Sequence, residues 1–200
     1  MRLWTALKMT LVLTVLTGII YPVAMAGIAN LVFPYQAQGS LLSRNGKIVG
    51  SALIGQNFSA PRYFQSRPSA AGAKGYDASN SSGSNLGPTN KALIDAVRQR
   101  LKAVTENNPG VTAAQVPIDL VTASGSGLDF EISPAAADLQ VERVAKARGL
   151  DEAAVRKLVA DHTRGRWAGI LGEPGVNVLA LNLALERLTP GSPPSGAGRN

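Results

Sequence analysis

The sequence predicts an α+β domain carried behind a single N-terminal transmembrane helix. Three observations predict it: an uncharged apolar run from Met9 to Phe33, a hairpin signal at Asn45-Gly46, and helical periodicities interleaved with short strand-like stretches beyond Thr89. Apolar residues make up 45% of the 200 but aromatic ones only 5%, enough for one modest core.

The apolar run comes first. As a helix, Met9 to Phe33 would be about 37 Å long, sufficient to cross a hydrocarbon core with some tilt. Pro22 is placed to kink it, and Gly18, Gly27 and the threonines form a face that admits a neighbouring helix. Trp4 reads as a membrane-interface residue. The rival reading is a cleaved leader, because Ala24-Met25-Ala26 has the A-x-A form of a cleavage site. The run continues past that site through Leu31, Val32 and Phe33, which favours a retained anchor. Arg2 and Lys8 before the run are balanced by Arg44 and Lys47 after it, so the positive-inside rule is nearly silent on orientation. The expected division is residues 1–8 as a short N-terminal segment, 9–33 as the membrane helix, 34–189 as the soluble domain and 190–200 as a disordered tail.

Within the domain, Leu41 to Gly55 reads as a β-hairpin, Asn45-Gly46 supplying both positive-φ positions of a type I′ turn. Gln56 to Pro88 is a long Ser/Gly/Asn/Pro segment, and a loop of this length is expected to be functional or held against a partner, with Tyr63, Phe64, Tyr76 and Leu86 as its anchors. Thr89 is expected to cap a helix with an apolar stripe of Leu93, Val97, Leu101 and Val104, ended by Asn108-Pro109-Gly110. Val116 to Ser124 is strand-like. Ser133-Pro134 starts a helix that Gly149 stops, and Asp151 caps the next, with Leu150 and Val155 as a hydrophobic staple. Val176 to Leu188 passes from alternation into a short helix.

The net charge of +7 is uneven. Arg2, Lys8, Arg44, Lys47, Arg62, Arg67 and Lys74 precede the first acid, Asp77, so the 13 acids beyond face an equal number of the 20 bases and the excess lies in the N-terminal part. That fits anionic lipid or an acidic partner near a membrane better than nucleic acid, for which no stripe of basic and aromatic residues is present. With no cysteine there is no disulfide, thiolate metal site or cysteine nucleophile. No phosphate-binding G-x-x-x-x-G-K-[ST], no serine followed three residues later by lysine and no G-x-S-x-G elbow occurs. His162, the single histidine, lies on the apolar stripe of its helix and reads as structural, and no metal site is expected. Asp129 and Glu131 point to opposite faces of an extended segment, so Asp129 is expected to serve a turn and Glu131 the start of the following helix. Trp167 reads as a packing residue. The stretch Ser124-Gly125-Ser126-Gly127 stands open as a phosphate cradle, a nucleophile site or a tight corner.

Six blocks in order, "GSALIGQNF" (50–58), "YFQSRPSA" (63–70), "SGSNLGPTN" (82–90), "VPIDLVTASGSGLD" (116–129), "ISPAAADLQVERVAKAR" (132–148) and "VNVLALNLAL" (176–185), resemble the C-subunit (KdpC) family of the Kdp-type potassium-importing P-type ATPases over nearly the whole chain. The resemblance implies a non-catalytic accessory subunit of the inner membrane, residues 1–8 cytoplasmic and the domain extracytoplasmic. It also implies the partners: a channel-like potassium-translocating subunit (KdpA), a P-type ATPase subunit (KdpB) and a small membrane subunit (KdpF), which assemble into the complex that handles ATP and potassium. This chain accordingly lacks a D-K-T-G phosphorylation motif and a T-V-G-Y-G-like filter. The family is associated with ATP binding, which maps to Ser124, Gly125, Ser126, Gly127 and Gln140. Two departures stand against the family pattern: Phe130-Glu131 replaces Pro-His or a polar pair, and Gly175 replaces a bulkier residue. Glu131 would disfavour a nearby phosphate. The accessory reading makes Tyr63, Phe64 and Arg67 of the long loop the candidate contacts with the channel-like subunit. An independent nucleotide-binding regulator, and a secreted hydrolase using Ser124 or Ser126, are the competing classes.

Overall fold

A computed structural model describes residues 2–188; the expected tail lies outside the described residues. The chain divides after Ser51 into two compact units.

In the first unit, α1 (Arg2–Val15) runs through a π turn at Leu16–Ile20 into α2 (Tyr21–Val32). Together they make a 31-residue helix, Arg2–Val32, long and apolar enough to cross a membrane and with no buried residue. The helix begins well before Met9, where Arg2, Leu3, Ala6, Leu7 and Lys8 are good helix formers. Pro22 has no N–H to give the carbonyl a turn back, and the turn before it widens so that Tyr21 N–H donates to Leu16 O. The Thr17 hydroxyl and Asn30 amide donate to the carbonyls of Leu13 and Ala26, so these polar groups are satisfied within the helix. Lys8 Nζ lies 5.3 Å from the centre of the Trp4 ring. After α3 (Pro34–Ala37), strands β1 (Leu41–Arg44) and β2 (Lys47–Ser51) pair antiparallel. Their turn has Asn45 at φ 51° and Gly46 at φ 74°, as a type I′ turn requires. A bulge between Leu42 and Ser43 disturbs the register, and pairing stops at Ser51, short of Gly55.

The second unit holds α4 (Lys91–Asn107), β3 (Glu131–Ile132), α5 (Pro134–Arg148), α6 (Glu152–Asp161), β4 (Thr163–Arg164), β5 (Gly175–Asn177) and α7 (Val178–Leu185). Its antiparallel sheet has the order β3-β5-β4. The core joins Val141, Val144 and Ala145 of α5, Val155 and Val159 of α6, Ile132 and Val176 of the sheet, and Leu181 and Leu185 of α7. Ser133 caps α5 by accepting from Ala136 N–H at 3.0 Å, and Gly149 ends it at φ 64° with its N–H returned to Ala145 O and Lys146 O. Asp151 caps α6 through Ala154 N–H.

Several expectations are corrected. Asn90, not Thr89, caps α4, its side chain accepting from Ala92 N–H at 2.8 Å. Val116 to Ser124 forms no strand: it carries a 3₁₀ turn at Ile118–Leu120, preceded by another at Ala113–Gln115 with a Thr112–Gln115 capping box. Pro117 cannot donate to a ladder, and the Asp119 carboxylate is engaged by Ser133 N–H and Oγ at 2.7 and 3.1 Å, which fixes a turn instead. Glu131 lies in β3 and does not serve the start of α5; it takes a two-point ion pair from Arg164. Trp167 is not packed: 70% of it is exposed.

Candidate functional site: a buttressed loop and its Gly/Ser seam

The long loop has no regular hydrogen-bond ladder, so its backbone groups need other partners if any of it is to be buried. Polar side chains on α5 and α7 supply them. Asn182, 2% exposed, accepts from Phe64 N–H and donates to Phe64 O, both at 2.9 Å. Gln140, 1% exposed, does the same for Gln65, accepting at 2.7 Å and donating at 3.2 Å. Two amides thus act as the edge of a sheet for an extended segment, and they carry Phe64 to 0% exposure in the core.

Arg143 extends this buttress. Its guanidinium donates to Pro61 O, to Tyr63 O at 3.0 Å, to Asn108 Oδ1 at 3.0 Å and to Gln140 Oε1 at 2.6 Å. Among the described residues no carboxylate pairs with it, and burial lowers its pKa from the usual arginine range to about 10. One step along, Tyr63 donates to Glu186 Oε1 at 2.6 Å, which raises its pKa, and Arg148 reaches the same oxygen at 3.0 Å while stacking 5.0 Å from the Tyr63 ring centre.

The far part of the loop closes on Ser124 to Gly127. Ser69 Oγ donates to Gly127 O at 2.6 Å and accepts from Tyr76 N–H at 2.7 Å, while Ser81 Oγ donates to Ser126 O at 2.9 Å. Gly127 has φ +66°, and a Cβ there would stand 2.6 Å from Ser82 O and 2.7 Å from Ala71 N. Glycine at 127 is demanded by the loop packed on it. Gly125 is different, since a Cβ would meet nothing within 4 Å. The hydroxyls are engaged locally: Ser124 Oγ accepts from Gly127 N–H at 2.8 Å and Ser126 Oγ from Leu128 N–H at 3.1 Å. Gln140 is not drawn into this corner by any of its four bonds, which go to Gln65, Ala136 and Arg143.

Arg67 ties loop to corner through Asp129 at 2.8 Å, and Asp129 also accepts from Glu131 N–H, the turn role expected of it. Of the three candidate contact residues, Tyr63 and Arg67 keep partial exposure, whereas Phe64 offers no surface and acts by fixing the loop. His162 ends α6 with its ring Nδ1 2.9 Å from Leu158 O. The two departures from the family pattern meet in space: a Cβ on Gly175 would lie 2.9 Å from the Glu131 carboxyl carbon. A side chain at 175 would push the Glu131 carboxylate, the far end of a flexible side chain, from the position in which it meets Arg164.

The buttress was missed in the sequence, although Asn182 had a signal: a polar residue inside the apolar run of α7 must find a buried partner. Arg143, between Val141 and Val144, offered the same hint.

A family model described as "KdpC: K+-transporting ATPase, c chain" matches residues 3–187. The potassium-transporting ATPase KdpC subunit of Rhodopseudomonas palustris (strain BisB5) is 57% identical over 195 residues, covering 92% of this chain and 96% of the relative. That of Polaromonas naphthalenivorans (strain CJ2) is 58% identical over 189 residues, covering 94% and 96%, and that of Sorangium cellulosum (strain So ce56) is 59% identical over 181, covering 90% and 95%. Over nearly its full length, then, this chain belongs to the KdpC family, the c chain of the K+-transporting ATPase.

Proposed function

We propose that the chain is a non-catalytic, accessory subunit that assembles and stabilises the potassium-importing complex. In this reading Arg2–Val32 anchors it in the inner membrane with the domain outside, and it sits against a channel-like potassium-translocating subunit, a P-type ATPase subunit and a small membrane subunit. The observation that carries the reading is the use made of Gln140, Arg143 and Asn182. These buried polar side chains, the type an enzyme would aim at a substrate, each donate to or accept from the loop's backbone, and they give it one fixed shape. A surface held this firmly suits docking, because little ordering entropy remains to be lost on association. The loop is then the contact region, with Tyr63 and Arg67 at its exposed side.

The orientation rests on kinship with the family, since the flanking charges are balanced. The Gly/Ser stretch reads as the seam on which the loop closes, with its hydroxyls already accepting backbone N–H groups. Direct titration of the full chain with ATP tests the alternative: saturable binding, lost in Gly125→Ala, would assign the corner to nucleotide.

The decisive experiment is mild-detergent purification of the tagged chain, expressed with its genomic neighbours under potassium limitation. Recovery of a P-type ATPase and a channel-like protein in fixed ratio is expected. Recovery of this chain alone, with those partners present in the same membranes, would overturn the assignment. Arg67→Ala is expected to lower the yield of complex.

A further inference from the structure

Among the exposed apolar residues of the second unit, one group is held outward by a turn closed on itself. Between β4 and β5, Trp167, Ile170 and Leu171 are 70%, 74% and 55% exposed. They are not frayed. Trp167 N–H donates to Leu171 O at 2.8 Å and Leu171 N–H to Trp167 O at 3.0 Å, across a turn in which Ala168 and Gly169 both have positive φ. Arg166 clamps the base by a two-point bond to Glu173 at 2.7 and 3.0 Å. A turn closed on itself in this way keeps its apolar side chains from folding back.

Glu173 also lines a cleft of about 400 Å³ whose walls include Asp119, Asp129, Glu131, Pro174 and Ile118, the last 74% exposed. Four carboxylates therefore face one cleft. Three are answered by guanidinium groups: Asp129 by Arg67, Glu131 by Arg164 and Glu173 by Arg166. Asp119 is met instead by the N–H and Oγ of Ser133 at the N-terminus of α5, and by no guanidinium among the described residues, so the cleft holds one more carboxylate than its guanidinium partners. A cleft with one carboxylate more than its guanidinium partners, joined through Glu173 to a Trp/Ile/Leu turn closed by its own hydrogen bonds, is complementary to a cation carried among apolar groups. The turn also has the composition of a binding hot spot, a tryptophan within a polar rim.

We propose that this face docks a polypeptide segment of another subunit of the complex, one bearing a lysine or arginine flanked by apolar side chains. The basic group enters the cleft beside Asp119, and the turn packs on the apolar flank. This rests on the subunit reading above and adds to it a place and a chemistry.

The test is photo-cross-linking in the assembled complex, with benzoylphenylalanine in place of Trp167 or, separately, of Ile118. Both positions are exposed, so the domain's fold is undisturbed. Adducts from both to one neighbouring polypeptide are expected, mapping by mass spectrometry to a segment with a basic residue. Adducts only to lipid, only within the chain itself, or to a segment lacking a basic residue would overturn the proposal, as would no adduct from an intact complex. In that last case the subunit reading survives; if unsubstituted chain fails to assemble, both fall. Trp167→Ala with Ile170→Ala is expected to weaken association by about tenfold or more, with circular dichroism and melting temperature unchanged.

Discussion

Two irregular segments of the same unit, the loop from Gln56 to Pro88 and the turn from Trp167 to Leu171, treat their aromatic residues in opposite ways: Phe64 is wholly buried and Trp167 mostly exposed. Hydrophobicity does not explain the difference. What separates them is where the backbone hydrogen bonds go. The loop's are answered by Asn182, Gln140 and Arg143 from the core helices, which draws the chain inward. The turn's are answered within the turn, by Trp167 and Leu171 against each other, which leaves its side chains outside. At Phe64 the irregular chain is buried because the scaffold supplies polar partners for its backbone.

The comparison breaks most visibly at its buried end. Phe64→Ala is expected to destabilise the chain by about 3–5 kcal/mol, since it empties a filled core position, and chemical denaturation measures it. Asn182→Leu keeps the volume but orphans Phe64 N–H and O, and about 2–4 kcal/mol is expected from two unsatisfied buried groups. If Asn182→Leu were neutral, the amide buttress would not be what holds the loop. At the seam, Gly127→Ala is expected to cost about 1–3 kcal/mol from its backbone conformation alone, more with the clash against Ser82 and Ala71, while Gly125→Ala leaves stability unchanged.

A subtler probe is Tyr76, whose hydroxyl donates to Arg67 O and whose burial raises its pKa to about 12. Above pH 10 the unfolded tyrosine loses its proton while the folded one keeps it, so the folded state binds more protons and stability falls as pH rises. The contribution is fully present below pH 10 and is lost on the way to about 12. The difference in stability between the wild type and Tyr76→Phe is expected to shrink across that window, as a denaturation series at fixed pH values would read.

Much of this was legible in advance. Ser133, Gly149 and Asp151 bounded α5 and α6 because caps act through local geometry, and Asn45-Gly46 fixed the hairpin for the same reason. The segment from Val116 to Ser124 was misread because its apolar alternation imitates a strand, whereas the deciding interaction, Asp119 with Ser133, lies across the fold. The buttress was hidden similarly: Phe64 and Asn182 are far apart in sequence, and nothing near either names the other. Trp167 failed for a third reason, since apolar character marks a residue that will be buried without saying whether by its own chain or by another.

That last ambiguity gives the smallest effect and the sharpest test of the comparison. Trp167→Ala removes the largest exposed side chain of the turn, yet the turn's hydrogen bonds are made by the backbone and by Arg166 with Glu173, neither of which the substitution touches. Stability in the isolated chain is therefore expected to change by no more than about 0.5 kcal/mol. A loss of several kcal/mol would mean that the ring packs inward in solution, and the contrast with Phe64 would collapse. A negligible change, beside a large one for Phe64→Ala, separates the aromatic residue that builds the domain from the one the domain presents.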